Sequence, residues 1–166
     1  MSTTIYLVRH GETEENARGV FQGQTPGTLS KLGIEQAVAA RPAVAALEFD
    51  AVLCSDLKRC MDTANIILEG IDCEIIKEPL LRERDLGNLA GTPIKGATLN
   101  ETVETEESMK MRVRQFIEKV QKEYPNKKIL AFSHGFLTRI MEAEIKGVTH
   151  RDVTLMDNCE IREFIV

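Results

Sequence analysis

Ile5-Tyr6-Leu7-Val8-Arg9-His10-Gly11-Glu12-Thr13 decides how the rest of the chain is read. Its first four residues are apolar, and three of them are β-branched or aromatic, as in a buried strand of a parallel sheet. The run stops abruptly at a cation, an imidazole and a glycine. In open α/β sheets the carboxyl edge, where such strands end, is where ligands bind. Gly11 permits a sharp turn or a close backbone approach. Arg9 presents a permanently charged fork of donors that suits phosphate or carboxylate. His10 can serve as nucleophile, base or ligand. The junction reads as a site for an oxyanion, with phosphate the first candidate.

The same kind of junction recurs downstream. Residues 51–54, Ala-Val-Leu-Cys, form a second strand and run into Ser55-Asp56-Leu57-Lys58-Arg59. Ser55 is a candidate N-cap for a helix over residues 55–68, with Leu57, Met61, Ala64, Ile67 and Leu68 facing inward. Arg59 then lies about a turn inside it and can reach over the helix N-terminus, where anions are favoured. A fourth strand, 129–132, ends in Ser133-His134-Gly135 and leads into a helix ending near Gly147. Between these, residues 73–76 form a third strand. Residues 80–87 follow, with Glu83 between Arg82 and Arg84, a pattern that is ordinarily a surface ion-pair cluster worth little.

The remaining segments complete an alternation of strands and helices. Residues 14–27 are polar and read as a loop, whose amides Asn16 and Gln22 can donate to phosphate oxygens. Ser30 can cap a helix over 30–47 with an apolar stripe of Ile34, Ala37, Val38, Val44 and Leu47, and Pro42 should kink or divide it. Met109, Val113, Phe116, Ile117 and Val120 recur at helical spacing through 106–124 and read as core. His150 has no motif around it. Residues 158–165 alternate as a half-covered edge strand does. The expectation is a three-layer α/β/α fold with a mainly parallel central sheet, residues 1–166 forming a single domain.

Bulk properties narrow the function. A net charge of -5 argues against a general nucleic-acid binder, yet a locally cationic cleft can still focus on an anionic substrate. The four cysteines, Cys54, Cys60, Cys73 and Cys159, form no Cys-x-x-Cys pair and read as free thiols in a reducing compartment. No basic-then-apolar leader precedes the first strand, and no apolar run is long enough to span a bilayer. The expectation is a cytoplasmic protein with no membrane partner, and a homodimer is compatible with the sequence. Three histidines, none spaced as ligands, argue against a zinc site, and the lack of a Gly-rich Lys-Ser or Lys-Thr loop argues against an NTPase.

Arg9-His10-Gly11-Glu12-Thr13 with Asn16, Ser55-x-x-x-Arg59 with Thr63-Ala64, Leu81-x-Glu83, and Ser133-His134-Gly135, in this order, resemble the histidine phosphatase superfamily, the phosphoglycerate mutase-like enzymes. The resemblance covers nearly the whole chain, with gaps over 92–107. It implies a phosphoglycerate mutase-like fold and a phosphohistidine intermediate on His10. It further implies phosphate-binding Arg9 and Arg59, a second histidine at His134 and a proton donor at Glu83. Gly11, Asn16, Gln22, Arg84 and Gly135 are the further candidate contacts to substrate, and Asn158 is a structural contact. Leu86, where many relatives carry an aromatic, Phe136, where Gly or Asn is common, and the short 92–107 segment depart from the pattern. Glu104-Thr105 stands where relatives often have Glu-Ser. The chemistry that follows is hydrolysis of a small phosphate ester with no cofactor and no metal. The rivals are phosphoryl transfer of the phosphoglycerate mutase type and a catalytically silent binding module on the same fold.

Overall fold

The computed structural model describes residues 2–166. Its strands are β1 (Thr4–Arg9), β2 (Ala51–Cys54), β3 (Ile75–Lys77), β4 (Lys128–Ser133) and β5 (Ile161–Ile165), and its helices are α1 (Glu14–Arg18), α2 (Lys31–Ala45), α3 (Lys58–Ile67), α4 (Glu106–Glu123) and α5 (Gly135–Lys146). The strands form one sheet in the order β3-β2-β4-β1-β5, parallel except for β5, which runs antiparallel to β1 at the edge. Side chains alternate across the sheet. Ile5, Leu7, Leu53, Ile129 and Ala131 therefore pack on one face with α4 and α5, through Met109, Phe116 and Leu137. Tyr6, Val8, Val52, Leu130 and Phe132 pack on the other with α2 and α3, through Ala37, Val44, Ala64 and Ile67.

This division of helices follows from handedness. Parallel crossovers are right-handed. The steps from β1 to β2 and from β2 to β3 move one way along the sheet, which puts α2 and α3 on one face. The step from β3 back to β4 moves the other way, which puts α4 on the opposite face. The layers are those the sequence predicts.

Three local expectations need correction. Residues 14–27 are not all loop: Thr13 and Asn16 form a reciprocal capping box that starts α1, and Gly19 closes it at φ 66°. Pro42 does not divide α2, which runs through it. The carbonyl that loses its i+4 donor belongs to Val38, a residue 43% exposed. Ile34 and Val38 lie on the solvent side of α2, whereas Gly33, Ala37 and Val44 face inward. Gly33 sets this rotation, because a Cβ there would fall 1.9 Å from the Glu12 carbonyl oxygen. The smallest residue has to meet the backbone of the β1 turn, and its neighbour at 34 is turned outward.

Candidate active site

Strand register assembles the site. Arg9 pairs with Ser133 across β1 and β4, so the residues that follow, His10 and His134, leave the sheet side by side. Their rings meet edge to face with centroids 5.2 Å apart. Cys54 pairs with Phe132, which brings Ser55 to the same place, its Oγ 2.7 Å from His134 Nε2. Ser55 is therefore no helix N-cap. The helix α3 begins at Lys58 after Leu57, which has no side-chain cap.

His10 is held in one tautomer. Its Nδ1 lies 2.7 Å from the Gly11 carbonyl oxygen. A carbonyl only accepts, so Nδ1 carries the proton and Nε2 keeps its lone pair. Burial above all, then the Arg59 charge, pushes the pKa of His10 down to about 3. The same causes, with His10 as a further neighbour, hold His134 well below the usual imidazole range. Both shifts favour the neutral imidazole. Gly11 is also reassigned. Its N–H donates to Thr63 Oγ1 at 3.1 Å and its carbonyl accepts from His10, so it positions the histidine. Asn158 Nδ2 donates to the His10 carbonyl at 2.9 Å, the structural contact expected of it.

Two histidines buried in the neutral form make stability depend on pH. Their pKa values are lower in the folded chain than in the unfolded one, so the unfolded state binds more protons below about 6.5. Stability is full above that value and falls as pH drops towards about 3, the folded value for His10. For His10 the loss between pH 7.5 and pH 5 is about 2 kcal/mol by linkage. Urea unfolding at the two pH values, in wild type and His10→Asn, measures it, and a variant with the full wild-type slope would assign the slope to other groups.

Arg9 Nη1 donates to the Met156 carbonyl at 2.5 Å, and Arg59 Nη1 and Nη2 donate to the carbonyls of Thr25 and Gly23 at 2.6 and 2.5 Å. These bonds aim the guanidinium groups, and the Nε of each remains buried with no protein partner. Burial lowers both pKa values from the ordinary arginine range, but a guanidinium stays charged throughout the useful range. An unpaired buried donor is costly. Two of them beside a nucleophile fit an anion with several acceptor oxygens.

Glu83 lies at the N-terminus of α5. Its Oε2 accepts from the Phe136 N–H at 3.0 Å, and its Oε1 from the Leu137 and Arg84 N–H groups at 3.1 and 2.8 Å. Its flanking arginines point elsewhere. Arg82 makes a bidentate pair with Asp56 at 2.6 and 2.5 Å. Arg84 donates through Nε to the Glu104 carbonyl at 2.7 Å and lies over the Phe136 ring. Below Glu83, Arg112 bonds both oxygens of Glu104 at 2.8 Å and the carbonyls of Leu80, Arg82 and Glu83. This answers what Glu104 does: with Arg112 it holds the segment that carries Glu83. In the sequence Arg112 is one charge among many on α4, with no motif around it.

Arg9, His10, Asn16, Gln22, Arg59, Glu83, Arg84 and Gly135 line one cavity of about 330 Å³, within the size range of small-molecule sites. Asn16 and Gln22 both steady Thr13: Asn16 Oδ1 accepts its N–H and Gln22 Oε1 its hydroxyl. Their amide NH₂ groups are the part left for a ligand. Among the described residues no cluster of three or more His, Cys, Asp or Glu could hold a metal ion, and no helix is long and apolar enough to cross a membrane.

A mainly parallel sheet whose central strands deliver two histidines and an arginine to one edge, with His10 and Arg9 lining the cavity there, defines a class. The chain belongs to the histidine phosphatase superfamily (branch 1), whose family model matches residues 5–165. Among relatives, PhoE of Bacillus subtilis, named an uncharacterized phosphatase, is 34% identical over 151 residues, 87% of this chain and 78% of that one. GpmB of Cronobacter sakazakii, named a probable phosphoglycerate mutase, is 44% identical over 85 residues, 51% of this chain and 40% of that one. The solved structure of YhfR of Bacillus stearothermophilus superposes with a TM-score of 0.90 at 22% identity, over 97% of this chain and 90% of that one. The fold is phosphoglycerate mutase-like, and the family and its named relatives are phosphatases or mutases.

Proposed function

We propose that the protein hydrolyses small phosphomonoesters, without a metal ion, through a phosphohistidine on His10. The observation that carries this is the pairing of His10, neutral with Nε2 unprotonated, with two guanidinium Nε–H groups that lack any protein partner. Arg9 and Arg59 offset the ester dianion and hold its non-bridging oxygens. A bond forms from His10 Nε2 to phosphorus as the ester P–O bond breaks, and the leaving oxygen takes a proton from Glu83. Water then attacks phosphorus, giving up a proton to Glu83, and free phosphate leaves as His10 is restored. His134, buried beneath the cavity with its ring oriented by Ser55, packs edge to face against His10 and supports the nucleophile from below.

Phosphate release from an aryl phosphate in excess EDTA tests this reading. Steady release unaffected by the chelator is expected. Loss restored by a divalent ion would mean that the site has been misread. No release from any ester would leave a silent binding module. With a bisphosphorylated primer and a phosphoglycerate substrate, isomerised product in place of free phosphate would make it a mutase.

Gly135 gives a separate check on Arg9. A Cβ at Gly135 would lie 2.9 Å from Arg9 Nε and 3.0 Å from Cζ. Gly135→Ala should push the guanidinium aside and lower kcat/KM about a hundredfold, the usual consequence of misplacing a group by about an ångström. Inhibition by inorganic phosphate should weaken with it. Unchanged kinetics would mean that Arg9 is not a phosphate ligand.

A further inference from the structure

We propose that the alcohol portion of the substrate is an apolar alkyl or aryl group and not a polyol. This rests on the phosphatase reading above and narrows it to a substrate class. The cavity has two ends of different character. Its floor is cationic, with the Arg9 and Arg59 guanidinium groups beside the buried, neutral His10, and the two charges match one phosphate dianion. Its remaining wall carries six apolar side chains: Val20, Phe21, Leu86, Ile94, Leu99 and Phe136. Ile94 and Leu99 are about half exposed, at 48% and 50%. Large apolar side chains left open around one cavity mark a surface that a ligand covers.

The wall is built, because its two sides are bonded to each other. Phe21 N–H donates to the Thr92 carbonyl and Gly91 N–H to the Phe21 carbonyl, at 2.9 and 2.8 Å, and Ile94 N–H donates to the Gly19 carbonyl at 2.9 Å. Val20 is bridged to Pro93. The residues after α1 and the 92–99 segment thus form one rim.

The side-chain oxygens that line the cavity already have protein donors. Asn16 Oδ1 and Gln22 Oε1 accept from Thr13, and Glu83 accepts three N–H groups. Arg84 is engaged by the Glu104 carbonyl and the Phe136 ring. A substrate hydroxyl laid against the six apolar side chains would lose its bonds to water and find a partner only where it reached the amide NH₂ groups of Asn16 or Gln22. A methylene in the same place gains by leaving water.

A series of n-alkyl phosphates from ethyl to octyl tests this, because the leaving alcohols have nearly equal basicity and chemistry is held constant. kcat/KM should rise about threefold to fourfold per methylene over the first several carbons. Propyl phosphate should exceed glycerol 1-phosphate by about tenfold or more. In Ile94→Ser and Leu99→Ser the octyl-to-ethyl ratio of kcat/KM should fall by about tenfold, and the ratio serves as its own control for folding and active-site integrity. A flat series, an unchanged ratio in both variants, or preference for glycerol 1-phosphate would overturn the inference while leaving the phosphatase reading intact. No turnover of any ester would overturn that reading, and the inference with it.

Discussion

His10→Ala should lose about four to six orders of magnitude in kcat, the scale on which removing a covalent nucleophile acts. It should also lose the covalent label. Wild-type protein mixed with radiolabelled ester and quenched in alkali should retain label that is stable to alkali and released by acid, as a phosphoramidate is. The assignment to His10 over His134 comes from how each ring is held. His10 reaches the cavity and has its proton fixed on Nδ1 by the Gly11 carbonyl. His134 is fully buried, with Nε2 facing Ser55 Oγ at 2.7 Å and Cys60 Sγ at 3.4 Å. Label that persists in His10→Ala and vanishes in His134→Ala would exchange the two roles. His10→Asn, whose amide can still donate to the Gly11 carbonyl, separates loss of the nucleophile from local collapse of the turn.

What could be read from the residues is what local chemistry determines. The strands, the long helix α4 and the cluster of polar groups at strand ends follow from composition and period, because a buried strand must be apolar and must stop where polar groups begin. The five residues that carry the family pattern meet around one cavity or directly beneath it, as their order implies. The parts that were not legible depend on partners far away in the chain. Ser55 has the composition of a cap, and only the pairing of β2 with β4 shows that its hydroxyl goes to His134. The stripe on α2 is rotated by a contact between Gly33 and the β1 turn, which no hydrophobic period reports. Thr13 and Asn16 were legible as a capping box, but the polar surroundings made them read as loop. The apolar wall joins residues 20–21, 86, 94, 99 and 136 through loop backbone bonds and has no sequence period at all.

Glu83→Gln should separate proton donation from positioning. An aryl phosphate whose phenolate leaves readily needs no proton and should phosphorylate His10 at close to the wild-type rate. An alkyl phosphate should lose about two to four orders of magnitude, the worth of a general acid. Single-turnover phosphorylation rates for the two esters give the comparison directly. The geometry meets one condition for the role, since Arg82 is paired with Asp56 and Arg84 is turned towards the Glu104 carbonyl. It also predicts a complication. Glu83 accepts through both oxygens, and an amide has only one. With the glutamine oxygen facing the Leu137 and Arg84 N–H groups, its NH₂ meets the Phe136 N–H, a donor against a donor. A stability loss of about 1–3 kcal/mol should accompany the change, and it affects both esters alike. The ratio of the two rates is therefore the diagnostic, not either rate alone. Equal loss would make Glu83 a structural anchor of α5. Neither nearby carboxylate could then replace it in this arrangement, because Glu104 is committed to Arg112 and Glu12 to Ser30. The proton would have to come from a water molecule in the cavity, and the solvent isotope effect on the alkyl ester should then be the same in wild type and variant.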